Sequence, residues 1–134
     1  MTFSVTRRIS FCYGHRLLDY AGKCRFLHGH NGLIEVTVKK RRLDRLGMVM
    51  DFSEIKEKIQ RWVDAELDHR MILNERDPLI PELKRRGEPY VALKANPTAE
   101  NIARLIFDHA KSEGLPVASI RLWETPSSAA VYEE

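Results

Sequence analysis

Cysteine is scarce here: Cys12 and Cys24 are the only two in 134 residues. A disulfide framework is therefore not expected, and free thiols are the default in a reducing compartment. Long apolar runs are missing as well. None approaches the roughly 20 residues that a membrane span needs. The opening Met1-Thr2-Phe3-Ser4-Val5-Thr6-Arg7-Arg8 lacks the apolar core of a signal peptide, so a cytoplasmic location is expected, with no membrane partner. There is no internal repeat and no low-complexity tract. A net charge of +3 and a pI near 9.0 lean towards an anionic ligand and raise nucleic acid as a rival. The basic clusters Lys39-Lys40-Arg41-Arg42 and Lys84-Arg85-Arg86 are short, sit at apparent turns and have no aromatic residues among them. No helix-turn-helix or zinc-finger spacing accompanies them, so no nucleic-acid partner is expected.

What is present points to one domain over residues 1–134, long enough for a single core. Phe3, Val5, Arg7, Ile9 and Phe11 alternate with Ser4, Thr6, Arg8 and Ser10, which is the period of a half-buried strand, with Arg7 the exception on the apolar side. Ile34, Val36 and Val38 are in phase for a second strand, and Met48-Val49-Met50-Asp51-Phe52 reads as the end of a hairpin. Ser53 has the chemistry of an N-cap for a helix carrying Ile55, Ile59, Trp62, Val63 and Leu67. A second helix opens at Pro97-Thr98-Ala99-Glu100 and stops at Gly114, before Pro116. Two short apolar segments, 120–124 and 129–132, close the chain. Residues 75–96, with Pro78, Pro81, Gly87 and Pro89, read as a long irregular excursion. Strands at both ends with helices between them predict an α+β fold, an antiparallel sheet with helices on one face.

Three of the five histidines, His15, His28 and His30, fall within sixteen positions. In His28-Gly29-His30, period two puts both imidazoles on the same side of a strand, and Gly29 permits close backbone approach. A hairpin-like pairing would bring His15 to the same end of the sheet. Three neutral imidazoles suit a catalytic metal site with an open position; the alternative is a pair of exposed polar residues at a strand start. Cys24, four residues before His28, is a thiolate base, a small buried hydrophobe or a fourth ligand of a closed site, and spacing does not separate these. Asp68-His69 is either a carboxylate–imidazole relay or a charge-compensated helix end, and Glu124 is a site residue or an exposed edge carboxylate. His109 receives no role.

Taken in order, Phe11…His15-Arg16-Leu17, Cys24-x-x-x-His28-Gly29-His30, Met50-Asp51-Phe52, Leu67-Asp68-His69, Asn96-Pro97-Thr98-Ala99-Glu100-Asn101 and Glu124-Thr125 resemble the 6-pyruvoyltetrahydropterin synthase family, including its bacterial 6-carboxytetrahydropterin synthase branch of the queuosine pathway. The resemblance spans nearly the whole chain. It implies the tunnelling fold, whose subunits form barrels as trimers, usually stacked as hexamers, with sites between subunits. It implies a small-molecule substrate, 7,8-dihydroneopterin triphosphate, and a Zn2+ cofactor held by His15, His28 and His30. Cys24 would be the proton-abstracting base and Asp68 with His69 the relay. Glu124 would anchor the pterin and act in catalysis, with Thr98 and Thr125 completing the pocket. The expected activity is that of a zinc-dependent lyase forming 6-carboxy-5,6,7,8-tetrahydropterin. The pyruvoyl-forming lyase and a non-enzymatic zinc- or pterin-binding module are the alternatives. Two departures stand out. Family members usually carry small residues where this chain has Cys12 and Tyr13, and the 75–96 excursion is longer than in compact bacterial members. Strand parity turns Cys12 away from His15 unless a bulge at Gly14 intervenes. The excursion's Arg76, Lys84, Arg85, Arg86 and Lys94 are candidates to hold a triphosphate, against the alternative of a solvated loop of balanced charge.

Overall fold

The computed structural model describes residues 1–134. The alternating N-terminal segment forms β1 (Phe3–His15), and its partner is β2 (His28–Lys40). They pair antiparallel without a break, from Phe3↔Lys40 to His15↔His28, so no bulge interrupts Gly14. Both strands are longer than the apolar alternation alone indicates. They carry all three clustered histidines inside regular backbone.

Residues 41–51 form a loop where the sequence suggested a hairpin end. The Asp44 carboxylate accepts the N–H groups of Leu46 and Met48, and the Gly47 N–H closes back on the Asp44 carbonyl. Val49 and Met50 then turn into the core, which explains why an apolar run here is not a strand. The following helix, α1 (52–66), is capped by Asp51, which corrects the expectation of Ser53. The Asp51 side chain accepts both the N–H and the hydroxyl of Ser53 at 2.8 Å. A π-helical turn, Lys56–Gln60, lies inside α1. The Lys58 carbonyl in that turn meets His109 Nε2 at 3.3 Å, and the His109 ring stacks on Trp62 with centroids 4.0 Å apart.

The remaining elements are β3 (Arg70–Asn74), α2 (Leu79–Arg86), β4 (Tyr90–Leu93), α3 (Ala99–Ser112), β5 (Val117–Thr125) and β6 (Ser128–Glu133). The sheet order is β4-β3-β1-β2-β5-β6. Four strands are antiparallel neighbours, but β3 runs parallel to both β1 and β4. The sheet is therefore mixed, which corrects the all-antiparallel expectation. The excursion is equally corrected: residues 75–96 hold α2 and β4, an ordered crossover that extends the sheet. Its Arg85 and Arg86 both pair with Glu82 along α2, and Arg76 lies 3.5 Å from Asp19. Those guanidiniums meet local carboxylates at exposed positions.

The main core lies between one sheet face and the helices α1 and α3. Ile9, Phe11, Ile34, Val36, Ile120 and Leu122 meet Ile55, Ile59, Val63, Ile102, Ile106 and Phe107 there, all buried. Burying side chains of this size contributes about 1.5–3 kcal/mol each relative to exposure, so this face fixes the register of the sheet. Parity puts Cys12, Asn31, Met71 and Leu73 on the opposite face, where Leu83 of α2 joins Cys12 and Met71 around a pocket. Leu73 is fully buried yet outside the main core cluster.

Candidate metal and pterin site

Register assembles the histidines. His15 sits opposite His28, and Tyr13 opposite His30, so the three imidazoles share the helix-covered face at one end of the β1–β2 ladder. One ligand atom from each ring can be chosen such that all lie within 4.8 Å of one another. Two of the rings are oriented by backbone. His15 Nδ1 is 2.7 Å from the Pro97 carbonyl, and His28 Nδ1 is 2.7 Å from the Phe26 carbonyl. A carbonyl only accepts, so each Nδ1 carries the proton and each Nε2 keeps its lone pair. The Nε2 atoms of His15 and His30 are buried and have no hydrogen-bond partner. Buried polar atoms are rarely left unpaired, and an imidazole whose other nitrogen is pinned to a carbonyl is the usual form of a metal ligand. Burial lowers the pKa of His15, its largest influence, and favours the neutral ring that a cation requires. The three residues fit a divalent metal.

Cys24 occupies a short 3-10 turn, Lys23–Arg25, and is half-buried. Its carbonyl accepts the Leu17 N–H at 2.8 Å, which ties the turn to the chain leaving His15. The thiol is not part of the three-histidine group and makes no hydrogen bond. The group that the chain assembles as it stands is the three histidines without Cys24. Arg25 is turned away from it: Nη1 donates to the Ala21 and Gly22 carbonyls, and the guanidinium lies 4.2 Å over the Phe26 ring.

Asp68 and His69 follow α1 as a pair. His69 adopts a left-handed backbone (φ 59°), and its Nδ1 lies 2.8 Å from Asp68 Oδ2. Both are locked to one residue of β1, through the two peptide groups that flank it: the Cys12 N–H donates to Asp68 Oδ1 at 2.8 Å, and the His69 N–H donates to the Cys12 carbonyl at 2.7 Å. The Cys12 N–H is the main influence holding the Asp68 carboxyl below the usual range. The His69 ring is 78% exposed. It lines a pocket of about 740 Å³ together with Cys12, His28, His30 and Asn31. No hydrogen bond links His69 to Cys24 within the chain. The Cys12 thiol itself bonds Asn31 Oδ1 at 3.0 Å on the sheet face away from His15, as parity requires.

Alternation places Glu124 on the helix-covered face, in phase with Ile120 and Leu122, next to an irregularity of β5. Trp123 pairs with Ala129 and Thr125 with Ser128, so Glu124 is an extra residue in β5. Glu124 Oε1 lies 3.9 Å from His15 Nε2 and 3.3 Å from the Tyr13 hydroxyl. Burial, followed by the Glu124 charge, pushes the Tyr13 phenol far above its ordinary pKa, so it remains a donor. Thr98 is engaged in starting α3. Its hydroxyl accepts the Asn101 N–H, its own N–H donates to Asn96, and its carbonyl takes the Ile102 N–H. Thr125 is exposed at the end of β5, 3.3 Å from the Ser127 hydroxyl.

Sequence reasoning missed the frame around these groups. Arg16 Nε donates to Asp77 at 2.8 Å, and the Asp77 side chain is fully buried. The Asn96 side chain both accepts from Leu18 N–H and donates to the Leu18 carbonyl, and it accepts from Asn74. The segment between His15 and Cys24 is thus clamped to β3 and to the start of α3. The sequence signal was the place of Arg16 and Asn96 inside motifs shared with the family, with no residue pattern that paired them with Asp77 or Leu18.

Residues 4–134 match the model of the family described as 6-pyruvoyl tetrahydropterin synthase. A 6-carboxy-5,6,7,8-tetrahydropterin synthase of Rickettsia bellii is 41% identical over 133 residues, covering 91% of this chain and 94% of that protein. Its namesake in Haemophilus influenzae is 35% identical, covering 98% of this chain and 99% of that one. Among solved structures, an uncharacterized protein of Wolinella succinogenes superposes with a TM-score of 0.83 at 28% identity, covering 100% of this chain and 99% of that one.

Proposed function

The chain belongs to the 6-pyruvoyl tetrahydropterin synthase family, and on that premise we propose that it converts 7,8-dihydroneopterin triphosphate to 6-carboxy-5,6,7,8-tetrahydropterin in the queuosine pathway. The observation that carries the reading is the pair of buried, unpartnered Nε2 atoms on His15 and His30, converging with His28 beside a carboxylate. The names of the bacterial relatives favour the carboxy product over the pyruvoyl one.

Zinc is the proposed metal, and when bound by His15, His28 and His30 it supplies Lewis-acid polarisation of the substrate's side-chain oxygens. Cys24 is the proposed base for the carbon-bound proton made acidic in this way. His69, oriented through Nδ1 by Asp68, presents its exposed Nε2 as the group that returns or relays a proton. Glu124 accepts the parallel N–H donors of the pterin edge, and Thr98 and Thr125 flank that end. Because no hydrogen bond joins Cys24 to His69 within one chain, the proposed site is completed between subunits of a trimer or hexamer. Incubating the purified protein with the triphosphate substrate and weighing the products tests the reading. Loss of triphosphate and acetaldehyde is expected; a pyruvoyl product would assign the other branch, and no turnover with zinc bound would leave a binding module.

A further inference from the structure

Tyr13 stands where the resemblance leads one to expect a small residue, and it is 3% exposed. Its ring is stacked on Phe11, with centroids 4.9 Å apart and planes 16° from parallel. The opposite strand makes room for that stack. A Cβ on Gly32 would lie 2.8 Å from Phe11 Cε1, closer than real Cβ contacts come, and a tight 3.0 Å from Tyr13 Cε1. Glycine on β2 and two aromatic rings on β1 are one packing unit, so the phenol's place is built into the sheet.

That place lies between the carboxylate and the imidazoles. The ring meets His15 edge-on at 5.2 Å and His30 at a tilt at 5.6 Å. Its hydroxyl is 3.3 Å from Glu124 Oε1. The hydroxyl's proton is the only one it can offer a carboxylate, and the carboxylate can only accept, so Tyr13 donates. Glu124 is otherwise loosely held: no other donor bonds its side chain, and its side chain remains 25% exposed. A carboxylate has about four lone-pair sites on two oxygens. Tyr13 engages one, leaving Oε2 and the rest of Oε1 for a ligand.

We infer that Tyr13 is a positioning residue for pterin recognition: by donating to Glu124 Oε1 it holds the carboxylate in the orientation that receives the pterin N–H pair. This rests on the reading of Glu124 as the pterin anchor. A pre-oriented acceptor does not have to be immobilised on binding, and that saving appears as affinity.

The test is calorimetric titration of neopterin, which lacks the triphosphate, into chelator-treated protein, so that neither zinc nor turnover contributes. Tyr13→Phe keeps the ring and its stack and removes only the hydroxyl. It should weaken neopterin about 3- to 10-fold, the scale of one hydrogen bond. With the reconstituted enzyme the same variant should lose kcat/KM mainly through KM, with zinc content at wild-type level. Tyr13→Met, apolar and unbranched, repeats the measurement if Phe packs poorly. Glu124→Gln should weaken neopterin on its own, and adding Tyr13→Phe to it should weaken it no further. Full wild-type affinity in Tyr13→Phe, alongside a weakened Glu124→Gln, overturns the role of Tyr13 and leaves the anchor standing. Additive losses in the double variant, or lost zinc in Tyr13→Phe, also overturn it, because the hydroxyl would then act elsewhere. Unchanged affinity in Glu124→Gln removes the anchor itself.

Discussion

An imidazole offers a metal only the nitrogen that its hydrogen bonds leave free, and His15 and His28 each give Nδ1 to a main-chain carbonyl. His15→Ala should therefore lower zinc content well below one per chain, measured by metal analysis of protein purified without chelator. Cys24 is separated from that role. Cys24→Ala should retain zinc and abolish turnover; loss of zinc would instead make the thiol a ligand. Glu124→Gln places an amide donor where the pterin offers its own donors. A mismatch of that kind costs about 1–3 kcal/mol, so affinity should fall roughly tenfold or more in calorimetry. These residues were readable in the sequence because a ligand set is a local pattern: His28-Gly29-His30 states its own geometry once it lies on a strand. Tyr13 and Glu124 were not linked in that way, because 111 positions separate them and only the sheet brings them together.

At the level of elements, the ion pair between Arg16 and Asp77 joins the segment after His15 to the β3–α2 connection. Arg16 is the main reason that the Asp77 carboxyl lies below the usual range. A carboxyl depressed in the folded state contributes stability above its unfolded value of about 3.9, and the contribution disappears as pH falls through the lower folded value. Denaturant midpoints should thus fall steeply below about pH 4 in the wild type, and less so in Asp77→Asn. Arg16→Ala leaves a buried carboxylate without its cation, a loss of about 3–5 kcal/mol, readable as a lower urea midpoint at neutral pH. The elements themselves were unevenly legible. β1 and β2 announced themselves by alternation, and α3 by its opening at Pro97-Thr98-Ala99-Glu100 and its stop at Gly114. β3 and β4 did not. Each has five residues or fewer, and their parallel pairing gains nothing from neighbours in sequence. The Met48–Phe52 run misled because its apolar residues plug the core from a loop held by Asp44.

For the molecule as a whole, the matching family and the fold agree, and the arrangement of the two faces decides what a single chain can do. The helix-covered face carries the three histidines and Glu124. The Asp68–His69 pair is pinned to the backbone of Cys12, with its imidazole exposed. Light scattering should therefore find a trimer or hexamer. Mixing His69→Ala subunits with Cys24→Ala subunits after reversible dissociation should restore part of the activity that neither variant has alone; no recovery would place both residues in one subunit's site. The sequence alone determined the family, the grouping of His15, His28 and His30 and the two long strands, because each is written in residues close together or in a fixed period. Only the tertiary structure decided the mixed sheet, the ordered 75–96 crossover, the clamp at Asp77 and Asn96, and the Tyr13–Glu124 contact. Each of these depends on which distant segments share a face, and that is settled by burial across the whole chain.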